Sequence, residues 1–76
     1  MSLKRARQQM PDDIEQTLIE HKLLDVYHSR PDYQQNDYLA WIGRAKREAT
    51  RRNRLDQMLD ELRNGDRYMN MPYRAQ

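Results

Sequence analysis

An all-α fold, a small three- or four-helix domain built around an antiparallel helical hairpin, is what this sequence predicts. Three observations carry the prediction. Leu55, Met58, Leu59 and Leu62 recur at i, i+3, i+4 and i+7, which places them on one face of a helix. Just upstream, Tyr38, Ile42 and Ala45 repeat at helical spacing with Leu39 and Trp41 flanking them. No strand of convincing length appears, and no segment repeats.

The 76 residues suffice for one domain, and with 37% hydrophobic residues and a mean hydropathy of -1.28 the core must be thin. Ordering such a chain costs on the order of 100 kcal/mol of conformational entropy, which burial has to offset almost completely. Three parts are expected: a flexible basic arm over 1–10, a helical domain over 11–65, and a Tyr/Met-containing tail over 66–76 that packs partly on the core.

The first helix is predicted to begin near Pro11–Asp12. Proline is tolerated in a first turn, and Asp12, Asp13 and Glu15 suit the positive helix end. Ile14 and Leu18, with Thr17 beside them, form an inward stripe of about two turns, too short to hold without tertiary packing. Leu23, Leu24, Val26 and Tyr27 then mark a short second helix from Lys22 to His28. One continuous helix from Pro11 to His28 is the alternative, but the apolar face drifts between Leu18 and Leu23, which favours a bend at Glu20–Lys22. Arg30–Pro31 ends the segment, because the residue before proline is pushed out of helical geometry.

Asp32 is the expected cap of the third helix, with Gln35 at the capping-box position. Gly43 either weakens that helix by about 1 kcal/mol relative to alanine or permits another helix to come close. The fourth helix is predicted from Glu48 to Asn64, with Gly65 as the residue that closes it. Tyr38, Trp41, Ile42, Leu55, Leu59 and Leu62 are the expected structural anchors, and Thr50 a local backbone hydrogen-bond partner.

The charge is unevenly placed. Residues 1–10 carry +3, 11–29 carry -4, 30–45 balance, 46–54 carry +4 and 55–76 carry -1, for the net +2. Arg44, Lys46, Arg47, Arg51, Arg52 and Arg54 therefore form a basic helical junction, which Lys4, Arg5 and Arg7 would extend. Guanidinium groups bind phosphate or carboxylate in a fork, and Tyr33, Tyr38 or Trp41 would supply stacking faces for bases. The junction equally permits internal pairing, with Arg51 bound to Asp37, Asp12 or Asp13. Tyr68, Met69, Met71 and Tyr73 point to a protein interface or, as readily, to closure of the chain's own core.

Nothing resembles a reaction centre. There is no cysteine, which excludes disulfides, iron–sulfur ligation and a cysteine nucleophile. Ser2 and Ser29 lack a surrounding constellation, and two glycines, Gly43 and Gly65, cannot build a phosphate-binding glycine loop. His21 and His28 share a side only on an unbroken helix, so no metal is expected. Asp56, Asp60 and Glu61 read as the polar side opposite the leucine face. No catalytic residue, cofactor or enzymatic activity is predicted.

The segment Tyr38-Leu39-Ala40-Trp41-Ile42-Gly43-Arg44-Ala45-Lys46-Arg47-Glu48-Ala49-Thr50-Arg51, followed by Arg54-Leu55-Asp56-Gln57-Met58-Leu59, resembles the C-terminal helical domain of the YdeI/OmdA-like bacterial proteins, also called bacteriocin-protection proteins. Pro11-Asp12-Asp13-Ile14 is similar to that domain's opening. The resemblance implies the helical fold, a bacterial origin and a stress- or resistance-related setting. It also implies that relatives are often longer, with this module following another domain. It supplies no catalytic residue.

The expected function is thus a small bacterial accessory or protein-interaction module, whose partner is another protein or a weakly associating second copy. The alternative is weakly selective nucleic-acid or polyanion binding through the basic junction. A cytoplasmic location is expected, since basic residues of the N-terminal MSLKRARQQMP are followed by no apolar stretch. No run approaches the roughly 20 apolar residues that cross a bilayer, so membrane insertion is not expected.

Overall fold

The computed structural model describes residues 9–65, 67–69 and 71–72. Four helices follow one another, α1 (Asp12–Glu20), α2 (Leu24–Ser29), α3 (Asp32–Gly43) and α4 (Glu48–Asn64), and a two-stranded hairpin, β1 (Arg67–Tyr68) and β2 (Met71–Pro72), closes the chain. The all-α prediction holds. The two-residue strands, paired antiparallel with Arg67 opposite Pro72 and Tyr68 opposite Met71, are the addition. The expected 1–10 arm lies outside the described residues except Gln9 and Met10.

Pro11 precedes α1, its carbonyl accepting the Glu15 N–H at 3.0 Å. The bend between α1 and α2 has a definite mechanism. Lys22 adopts φ 59, its N–H bonds to the Ile19 carbonyl, and the Leu23 N–H reaches back to Leu18 at 2.8 Å. This is the paired 5→2 and 6→1 closure of a helix C-terminus, with buried Leu18 and Leu23 as its apolar contact. A lysine occupies the left-handed position usually given to glycine, so no glycine or proline marks the turn.

Two expected helix starts need correction, the first being that of α2, which begins at Leu24 and not at Lys22. The α3 cap is the Pro31 carbonyl, which accepts from the Gln34 and Gln35 N–H groups, while Asp32 lies inside the first turn. Gln35 does not complete a capping box. Its amide nitrogen donates to the carbonyls of Arg30 at 2.7 Å and His28 at 3.2 Å, sewing the end of α2 onto α3. Thr50 makes no side-chain hydrogen bond among the described residues; Thr17 does, to the Asp13 carbonyl.

α3 ends at Gly43, so Ala45 lies beyond it rather than on its apolar face. Among the described residues, a Cβ at Gly43 would meet nothing within 4 Å, so none of the four helices approaches there. The linker 44–47 turns the chain into α4. Arg54 meets Trp41 near the turn, and Glu61 meets Tyr38 farther from it, so the two helices run antiparallel as expected. Gly65 ends α4 at φ 80, its N–H on the Glu61 carbonyl at 2.8 Å.

The core collects Ile14, Leu18, Leu23, Tyr27, Tyr38, Leu39, Ile42, Leu55, Met58, Leu59 and Leu62. Trp41, expected as the largest apolar anchor, is only partly buried at its edge. Tyr38, fully buried, holds the central position instead. No helix among the described residues is long and apolar enough to cross a membrane.

Candidate functional site

The positioning of the site starts from a buried polar cluster. Glu61 projects from the inward face of α4 and is 3% exposed. Its carboxylate accepts the Tyr38 hydroxyl at 2.5 Å, the Gln57 amide at 3.1 Å and the Met69 N–H at 2.8 Å. Arg30, also buried, donates to Gln34, to the Glu61 carbonyl and to the Arg67 carbonyl. Buried charge is tolerated only with such satisfaction. Two of these bonds, to the Arg67 carbonyl and from the Met69 N–H, fasten the hairpin to the helices.

Tyr68 adds a third fastening. Its hydroxyl donates to Asp37 Oδ2 at 2.7 Å, and its ring packs edge-on against Tyr38 at 5.5 Å and Tyr33 at 6.0 Å between centroids. Burial, reinforced by the Glu61 carboxylate, raises the Tyr38 hydroxyl above its ordinary pKa. Burial and Asp37 raise that of Tyr68. Both phenols are held protonated as donors.

The docked hairpin and α3 then enclose a surface groove of about 500 Å³ lined by Tyr33, Asp37, Trp41, Arg44, Tyr68, Met69 and Met71. Tyr33, Asp37 and Trp41 on α3 and Arg44 at its C-cap stand at i, i+4, i+8 and i+11, a stripe about 100° round the helix from the buried Gln34, Tyr38 and Ile42. Arg54 supports the floor by donating to the Trp41 carbonyl at 2.6 Å, with its guanidinium carbon 5.3 Å from the Trp41 ring centroid.

The basic junction is not one continuous surface. Arg51 makes a fork to Asp13 at 2.8 and 3.2 Å, settling its partner among the three open choices and holding the Asp13 carboxyl below its ordinary pKa. Arg52 lies 3.8 Å from Asp56, one turn along α4. Arg54 is turned onto Trp41. Arg44, Lys46 and Arg47 are exposed, while Lys4, Arg5 and Arg7 lie outside the described residues.

Of the tail residues, Tyr68, Met69 and Met71 come together with the Trp41 face, and Tyr73 lies outside the described residues. His21 and His28 do not meet: His21 Nδ1 faces Arg63 at 3.2 Å, and His28 sits edge-on to Tyr27. No group of three or more His, Cys, Asp or Glu poised for a metal occurs among the described residues. Asp56 and Asp60 are exposed as read, but Glu61 is a correction, being buried on the leucine side. Sequence reasoning also missed Arg30 and Gln34. The Tyr33–Asp37–Trp41–Arg44 spacing was the one available sign of a second working face.

No curated protein and no solved structure matches the chain. A family model described as "Bacteriocin-protection, YdeI or OmpD-Associated" matches residues 8–65, which hold all four helices and the α3 wall of the groove. With well over half of its length matched, this chain belongs to the bacteriocin-protection, YdeI- or OmpD-associated family.

Proposed function

We propose that this chain is a small accessory module that docks a protein partner in the groove between α3 and the β1–β2 hairpin. It acts by binding, without a reaction centre, in the bacterial cytoplasm and in the stress- or resistance-related setting that the family description suggests. One observation carries the reading: Tyr33, Trp41, Tyr68, Met69 and Met71 converge on one groove. Aromatic and methionine side chains are the ones enriched at protein interfaces. Tyr33 and Met71, each 53% exposed, are two of the three large hydrophobic residues left on the described surface. Polyanion binding is the weaker reading, because Arg51, Arg52 and Arg54 are engaged within the chain.

A photoreactive amino acid at position 71 tests the docking reading in bacterial cells, with one at exposed position 60 as control. A discrete protein adduct from position 71 alone, lost on Tyr33→Ala, is expected. No adduct, or the same adduct from position 60, overturns it. For the polyanion reading, single-stranded DNA is titrated at about 50 and 200 mM salt, where phosphate-driven affinity falls steeply. Salt-sensitive binding abolished by glutamine at positions 44, 46 and 47 would replace protein docking with that reading.

A further inference from the structure

The groove has a charge pattern as well as an apolar surface. Asp37 lies one helical turn from both Tyr33 and Trp41, and Tyr68 is bonded to its Oδ2. Three aromatic side chains therefore line the groove with this carboxylate. Its other oxygen accepts no hydrogen bond among the described residues. Arg44, one turn beyond Trp41, is exposed, and its side chain has no hydrogen-bond or ion-pair partner among the described residues. A negative and a positive group thus stand on one stripe, seven residues and about 10 Å apart along the helical rise.

Resting on the docking reading above, we propose that the occupant is an extended segment of a partner protein carrying a lysine or arginine side chain and, three residues along, an aspartate or glutamate. In the polyproline II form of an extended segment, three residues make one turn and rise about 9 Å, which brings the two charged side chains to the same face so that they can engage together. The cation enters among Tyr33, Trp41 and Tyr68, whose ring faces attract it, and meets Asp37. The carboxylate meets the Arg44 fork. Met69 and Met71 offer adaptable apolar contact to the side chains between. Arg44 also repels a second cation at its end, which fixes the register of the segment. A polyanion would face Asp37 with only Arg44 in return.

The probes are the capped hexapeptide Ac-Ala-Lys-Ala-Leu-Glu-Ala-NH2 and its analogues with glutamine for the lysine, for the glutamate, or for both. Each is titrated into the full chain by two-dimensional NMR, following the Trp41 indole and the Met69 and Met71 signals. The parent peptide should shift these signals and bind about three- to fivefold more tightly than either single analogue, the worth of one exposed cation–π or charged contact. Asp37→Asn, which retains an acceptor for the Tyr68 hydroxyl, should erase the advantage of the lysine and leave that of the glutamate. Arg44→Gln should do the reverse.

Peptide binding in the groove that ignores both substitutions overturns the charge pattern and leaves docking itself standing. No groove binding by any peptide, alongside a protein adduct at position 71, also overturns the charge pattern while docking survives. Failure of both experiments removes the two together. Contacts between Tyr73 and the Trp41 ring in the free chain would assign the groove to the chain's own tail and overturn the proposal.

Discussion

Glu61 shows how much one side chain determines here. Tyr38 of α3, Gln57 of α4 and Met69 of the hairpin all donate to it, so losing the carboxylate strands polar groups on several elements at once. Glu61→Leu should destabilise the protein by about 2–4 kcal/mol in urea unfolding, since each orphaned buried donor costs about 1–3 kcal/mol. Glu61→Gln, which keeps one acceptor oxygen, should lose less. The Arg51–Asp13 pair is a milder case. Asp13 is 58% exposed, so removing the pair by Arg51→Gln should cost about 0.2–1 kcal/mol near neutral pH. Because folding lowers the Asp13 pKa below 3.8, that stability is present above this value and lost as the pH falls through the lowered one; the wild-type and Arg51→Gln unfolding curves should converge there. Tyr68 behaves oppositely. Its pKa is raised from 10.0, so its contribution is intact below pH 10.0 and lost as alkali drives ionisation. The stability of Tyr68→Phe should therefore fall less steeply than wild type in alkaline urea titrations. The sequence named Asp13 as one of three partners open to Arg51, but the buried roles of Glu61 and Arg30 were not legible in it. Glu61 adjoins Asp60 and differs from it only in which way the helix turns it, and Arg30 before Pro31 reads as a stop signal.

Among the elements, α4 was readable to its bounds because its apolar period and its terminal Gly65 agree. The α1–α2 bend was readable from the drifting apolar face, though not from its turn residue. Backbone conformation at three positions makes opposite predictions for similar substitutions. Gly65→Ala forces a Cβ into the left-handed region with open space around it, so it should lose about 1 kcal/mol from strain alone. Gly43→Ala, at ordinary helical geometry and equally open, should gain about 0.5–1 kcal/mol by limiting the unfolded chain. Lys22→Gly should relieve the left-handed lysine and gain up to about 1 kcal/mol. Chemical denaturation of the three variants checks the signs. The α3 start misled because a side-chain cap was assigned where the Pro31 carbonyl serves.

At the level of the whole molecule, hairpin and helices share Glu61, Arg30 and Tyr68, so they should unfold as one unit. Trp41 fluorescence, reporting the groove, and far-UV circular dichroism, reporting the helices, should give coincident thermal transitions in the wild type. The groove was only half legible: its tail residues were named, but their meeting with α3 depends on buried polar ties that carry no sequence period. The two stripes of α3 have a consequence for the way this fold can vary. Gln34, Tyr38 and Ile42 face inward while Tyr33, Asp37, Trp41 and Arg44 face the groove, interleaved along α3 and its C-cap. Inserting or deleting one residue there turns everything beyond it by about 100°, driving groove residues into the core and core residues out. Diversification at this surface must therefore proceed by replacement at fixed length, which lets the chemistry of the binding face drift freely while the helix that bears it keeps its residue count.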